Sequence, residues 1–221
     1  MPEYIEFKES DFKKIEKFFK NNGFRKVTEK EEQQMFERLA LGDRKLHQEG
    51  SNTAFIFSVG RLSVKVYTTF SRESKTTIKE NRCAWVSLLD GDTRIYSSPQ
   101  IRRTKNFIQK LMSWSLIVKT ILESQPLCPE CKAKMYPKRN KKGTKHWWEC
   151  NRTEYHSNGK VEKMSWNIFK TNLSLELKEF YQEYEKEQKI YQEYLKKKGK
   201  TNHVVGSTRT KRPLGRPENV E

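Results

Sequence analysis

No stretch of this sequence stays apolar for the roughly 18–20 residues that a helix needs to cross a bilayer. The N-terminus, MPEYIEFKES, is acidic and has no apolar signal region. The expectation is a soluble, intracellular protein of the cytoplasm, nucleus or nucleoid, with no membrane partner. Apolar residues are scarce, since 34% of the 221 are hydrophobic and 33% are charged. The core must therefore be modest, with part of the chain outside it. This length suits one moderate domain plus a small module, or two small domains. Cysteine is scarce as well: Cys83, Cys128, Cys131 and Cys150 are all there are. Disulfides need an oxidising compartment, and nothing here indicates export. Two cysteines separated by two residues then suggest a metal or a redox dithiol. Catalytic signatures are missing too. There is no Gly-rich phosphate loop, no Gly-x-Ser-x-Gly elbow and no His-Glu-x-x-His helix.

Positive charge is what the chain has in excess. The formal net charge is +17. Residues 1–125 carry 23 basic and 16 acidic side chains, whereas residues 126–170 carry 11 and 4. Residues 171–195 are acidic, with 3 and 6, and residues 196–221 return to 8 and 2. Basic density thus peaks around the cysteine cluster and in the tail. A polyanion is the partner such fields attract, and nucleic acid is the commonest.

Residues 10–22 read as an amphipathic helix, with Phe12, Ile15, Phe18 and Phe19 at helical spacing. Ser10 suits its N-cap and Gly23 its C′ position. A second helix is expected within 29–41, where Met35, Phe36, Leu39 and Ala40 share one side. Residues 54–58 and 62–70 then form one β-hairpin candidate around Gly60. Residues 83–89 and 93–97 form another around Asp90-Gly91. Residues 105–122 return to a helical period, and Pro126 follows. The order α-α-β-β-β-β-α makes an α+β domain over 1–125. Residues 171–198 form a long amphipathic helix, with Leu173, Leu177, Phe180, Tyr184, Tyr191 and Tyr194 close to a heptad rhythm. Glu187 interrupts it, which argues against a full coiled coil. Residues 199–221 are polar and basic and are expected to be a disordered tail.

Between these lies CPECKAKMYPKRNKKGTKHWWECNRTEYHSNGK. Zinc takes four soft or borderline ligands in a tetrahedron. A Cys-x2-Cys knuckle offers two, Cys128 and Cys131. After an 18-residue gap, Cys150 and His156 offer a second pair. His146 is the alternative fourth ligand. His156 is preferred because Cys150-x5-His156 makes a second knuckle, while His146 sits within the strand leading to Cys150. Gly143 suits a hairpin tip. The expectation is a zinc ribbon over 126–170 with a structural Zn2+, since four protein ligands leave no open position for catalysis.

The stretch resembles the zinc finger repeated at the C-terminus of bacterial type I topoisomerases. Cys128-Pro129-Glu130-Cys131 with Met135 matches the first half of that finger, and Trp147-Trp148-Glu149-Cys150 matches the aromatic-aromatic-x-Cys element of the second. Lys132 stands where that family has Gly, Thr153-Glu154 replaces a Tyr-Pro, and His156 stands where it has Cys. The resemblance covers 30–40 residues. It implies a DNA-contacting ribbon and says nothing of residues 1–125.

Three thiolates and a neutral imidazole leave a zinc site at −1, so side chains around it must attract phosphate. Lys132, Lys134, Lys138, Arg139, Lys141, Lys142 and Lys145 are the candidates for backbone contact. Tyr136, Trp147 and Trp148 offer faces for stacking bases. Trp148 is assigned to the ribbon's small core, and strand alternation turns Trp147 to the opposite face. In the tail, Lys211-Arg212-Pro213-Leu214-Gly215-Arg216-Pro217 resembles an AT-hook, which inserts arginines into narrow A·T minor grooves. Leu214 stands where that motif has its first core Arg. Lys211, Arg212 and Arg216 join the candidate contacts. Cys83, beside Trp85, reads as a buried small hydrophobe. Asp90, Asp92 and Glu80 are imaginable nuclease carboxylates, although Asp90-Gly91-Asp92 is better explained as a turn. The expected function is nucleic-acid binding, DNA first, as an accessory factor in replication, repair, recombination or transcription. The alternatives are a protein-docking module using the ribbon and the 171–198 helix, or a nuclease-type enzyme with its site in 1–125.

Overall fold

A computed structural model of the chain describes residues 9–28, 30–31, 33–34, 37, 51–69, 83–102 and 104–202. The first apolar stripe forms α1, Glu9–Asn21, which buries Ile15 and Phe19. Ser10, expected as the N-cap, is already helical, because the helix includes Glu9 before it. Gly23 does stand at C′, with φ +76, where a side chain would be strained. The Phe24 N–H donates to the Phe19 carbonyl at 2.9 Å and the Gly23 N–H to that of Lys20 at 3.1 Å. The Phe19 and Phe24 rings close this Schellman end at 5.1 Å. In the expected second helix, residues 30, 31, 33, 34 and 37 are helical. Its apolar side, Met35, Phe36, Leu39 and Ala40, lies outside the described residues.

The strands are β1 Arg25–Lys26, β2 Ser51–Val59, β3 Leu62–Thr69, β4 Cys83–Asp90, β5 Thr93–Ser97 and β6 Ile101–Arg102. They form one antiparallel sheet in the order β1-β2-β3-β4-β5, with β6 also on β4. Both hairpins close through two-residue turns, Gly60-Arg61 and Gly91-Asp92, whose first residue has positive φ. The register puts Phe55 opposite Val66, Phe57 opposite Val64 and Val64 opposite Leu88. These side chains share one face, and α1 and α2 (Phe107–Glu123) pack there. Phe19 stacks on Phe55 with centroids 4.2 Å apart, and Lys119 donates to the Asn22 carbonyl at 2.9 Å. Pro99 has no N–H to pair, so β5 and β6 are separate strands. Ser98 bridges the break by accepting from the Val86 N–H through its Oγ at 3.0 Å. The short β1 and β6 carry no readable period.

The cysteine region adds a second antiparallel sheet of β7 Tyr136–Arg139, β8 His146–Cys150 and β9 Glu162–Ser165, in that order. A helix not expected from the sequence, α3 Asn167–Asn172, follows at once. Leu173 is extended (ψ 143), so the long helix α4 runs Leu175–Asn202 rather than 171–198. The chain divides into two compact units, Met1–Lys178 and Glu179–Glu221. The first holds both sheets, α1 to α3 and the first turn of α4. The described part of the second is the rest of α4, and the tail beyond Asn202 is outside the described residues. No described helix is long and apolar enough to cross a membrane. The architecture is α+β.

Candidate metal centre

The first knuckle is a tight turn pinned by its own backbone. The Cys128 N–H donates to the Ala133 carbonyl at 2.7 Å, and the Lys132 N–H donates to that of Cys128 at 3.0 Å. This closure places Lys132 at φ 58, the single described non-glycine residue with positive φ. The second knuckle follows β8. Cys150 ends the strand, a 3-10 turn over Thr153–Tyr155 reverses the chain, and His156 comes next. The Cys128 sulfur lies 3.4 Å from His156 Nε2, and the Cys131 and Cys150 sulfurs are 3.6 Å apart. The four ligand atoms all lie within 4.8 Å of one another, close enough to hold a metal ion. Cys128, Cys150 and His156 are buried, and Cys131 is half-buried.

The surroundings suit ligation. His156 Nδ1 is 2.5 Å from the Lys160 carbonyl, to which it donates, and Nε2 faces the sulfurs; in the neutral ring that bond leaves Nε2 as the nitrogen with a lone pair for a metal. The Ala133 N–H pulls the Cys131 thiol below its ordinary range, while burial pushes Cys150 up. Glu130 ties the two knuckles together, accepting from Ser157 Oγ at 2.6 Å and from its N–H at 3.2 Å. This clamp holds Glu130 below the usual carboxylate range.

His146 has another task. Its Nε2 bonds the Ile95 carbonyl of β5 at 3.1 Å, and its ring stacks on Trp166 at 4.7 Å. It fastens the small sheet to the edge of the large one. Beneath the knuckles, Trp148 and Met135 are fully buried, and Trp148 packs on Trp166 at 5.9 Å. Trp148 is therefore core.

Register sorts the remaining candidates. Tyr136 faces Glu149, Lys138 faces Trp147, Trp147 faces Ser165 and Glu149 faces Lys163. Alternation puts these side chains on one face of the small sheet, opposite Trp148. Lys163 sits over the Trp147 ring at 5.4 Å, and the Trp147 indole N–H donates to Glu149 at 2.8 Å. Arg139 falls on the other face. Lys141, Lys142 and Lys145 cluster around the β7–β8 turn, and Lys132 and Lys134 lie on the first knuckle. The sequence reading missed Lys163 because β9 (EKMS) has no strand signal of its own. It also missed Arg61, whose guanidinium lies 5.1 Å from the Tyr136 centroid.

Lys211, Arg212 and Arg216 lie outside the described residues, as does Glu80. Asp90 is buried and holds a bidentate pair with Arg61, and Asp92 is an exposed turn residue. Among the described residues, the Cys/His cluster is the one group of metal-binding type, and it contains no carboxylate. Cys83, expected to be buried, is half-buried on β4, and burial raises its thiol pKa. Comparison of the chain with protein-family models, curated proteins and solved structures finds no match.

Proposed function

We propose that this protein binds nucleic acid, DNA first, through a basic ribbon organised by a structural zinc ion. The observation that carries the reading is the concentration of basic groups around a four-ligand cluster. Lys132 and Lys134 lie on the first knuckle, Lys138 and Lys163 share a sheet face with the half-buried Trp147, and Lys141, Lys142 and Lys145 lie around the β7–β8 turn of the same ribbon. Zinc fits the donor set. Zn–S of 2.3 Å and Zn–N near 2.0–2.1 Å in a tetrahedron imply S···S of about 3.8 Å and S···N of about 3.6 Å. The Cys131–Cys150 and Cys128–His156 separations of 3.6 and 3.4 Å lie close to these values, and all four ligand atoms lie within 4.8 Å of one another. Three thiolates and one imidazole give the ion a −1 site, so phosphate attraction falls to the lysines.

The test is fluorescence polarisation with labelled single- and double-stranded DNA and RNA over a salt series, with zinc quantified. The expected outcome is about one zinc per chain and an affinity that falls steeply with salt, by about 0.7–0.9 in log-log slope per phosphate contacted. Zinc present without binding at low salt would end the reading. A second reading rests on α4, where Ile190, Tyr191, Tyr194 and Leu195 are exposed. A protein partner along that helix would bind with weak salt dependence, and Ile190→Lys with Leu195→Lys would abolish it.

A further inference from the structure

The Gly60-Arg61 turn of the large sheet and the first strand of the small one enclose a cleft of about 250 Å³. Arg61, Lys134, Lys138 and Arg152 line it with four positive charges and Asp90 and Glu149 with two negative ones, and Cys150 brings the edge of the −1 metal cluster to its wall, which leaves the cations in excess. The carboxylates are engaged inside the protein. Asp90 takes Arg61 Nε and Nη2, the latter at 2.8 Å, and Glu149 takes the Trp147 N–H and lies 3.7 Å from Lys163. The cations keep donors to spare. Arg61 Nη1, Lys134 Nζ and Lys138 Nζ make no hydrogen bond among the described residues. Arg152 lies over the Tyr155 ring at 4.8 Å, a contact that uses none of its N–H groups. The Asp90 pair and the Tyr136 ring orient the exposed Arg61 guanidinium, which lowers the entropy lost when it grips an anion.

We propose that this cleft seats one phosphodiester of the bound strand, so that Arg61 makes the N-terminal sheet part of the nucleic-acid surface. The inference rests on the nucleic-acid reading above. It adds Arg61 and Arg152, which lie outside the 128–150 lysine run. A cleft several times the roughly 30 Å³ of a water molecule accommodates a phosphate and leaves room for bridging water. An arginine with spare, oriented N–H groups suits phosphate oxygens.

The test uses the full-length, zinc-loaded protein and a labelled mixed-sequence DNA oligonucleotide. The variants are Arg61→Gln/Asp90→Asn, which leaves no stranded carboxylate, and Lys134→Gln/Arg152→Gln, with Arg61→Lys as a milder change. Circular dichroism and zinc content report folding, and if the Arg61→Gln pair fails to fold, Arg61→Lys carries the test. Each cleft pair is expected to weaken binding about tenfold. Combining the pairs is expected to lower the salt slope by only about 0.7–0.9 in total, because they share one phosphate. Lys141→Gln/Lys142→Gln at the hairpin tip is expected to lower the slope further and additively. Inorganic phosphate at matched ionic strength is expected to compete no better than chloride. Stoichiometric competition would make this a free-phosphate site and overturn the assignment. Cleft variants with unchanged affinity and slope, beside a weakened tip variant, would overturn the cleft and leave the nucleic-acid reading standing. Failure of the unmodified protein to bind would instead overturn that underlying reading.

Discussion

Lys132 occupies a left-handed backbone conformation of the kind that glycine adopts without strain. At φ 58 its Cβ crowds its own backbone, and the Nζ bond to the Pro129 carbonyl at 2.7 Å is an exposed offset. Lys132→Gly should stabilise the ribbon by about 0.5–1 kcal/mol, less than the full strain because glycine also gains freedom when unfolded. Lys132→Ala keeps the strain and loses the bond, so it should destabilise. Thermal melts of the three proteins give the order, and a glycine variant that melts below the parent would refute the strain argument. The ligand set has its own residue-level check. His156→Gln should lower zinc affinity sharply in a chelator competition, while His146→Gln should leave about one zinc per chain. The reverse result would move the fourth ligand to His146.

The edge strand β5 and the ribbon strand β8 meet through His146, and this junction carries a pH dependence. Burial holds the His146 pKa below its ordinary value, with Arg139 adding to the effect and the Ile95 carbonyl opposing it. A base with a depressed folded pKa binds more protons when unfolded. Its contribution is therefore complete above the unfolded pKa of about 6.5 and is lost as pH falls below it. His146→Gln, which cannot take a proton, should melt lower than the parent at pH 7.5, and the gap should narrow by pH 5.5. A gap that stays constant would mean the ring is not desolvated at the junction. This contact marks where the sequence stopped being readable. The hairpins around Gly60 and Gly91, the helix at 107–123 and the Cys-x2-Cys spacing all announce themselves through local period or turn chemistry. So does the split between Trp147 and Trp148, because strand alternation is local. The docking of β8 on β5, the four-residue β9 and the convergence of Arg61 on Tyr136 depend on residues far apart in the chain. No local pattern encodes them. The heptad rhythm includes Leu173 and so puts it inside the long helix, yet its extended backbone separates α3 from α4.

Across the whole molecule a formal charge of +17 favours any polyanion, so the ribbon and the tail must be separated by experiment. The 19 residues after Asn202 carry four basic side chains, Arg209, Lys211, Arg212 and Arg216, and two acidic ones, Glu218 and Glu221. If the tail acts only as a source of charge, removing it should lower the salt slope by no more than about 3–4 and should weaken A·T-rich and G·C-rich duplexes equally. If the AT-hook resemblance holds, Arg212 and Arg216 enter a narrow minor groove, and the full chain should prefer A·T-rich duplex. That preference should then vanish on truncation after Asn202. Zinc content should be unchanged either way, because all four candidate ligands lie within Met1–Lys178. Polarisation titrations of the full and truncated proteins against the two duplexes decide the matter. An A·T preference that survives truncation would place minor-groove readout within residues 1–202 and remove the tail from the specificity of the protein.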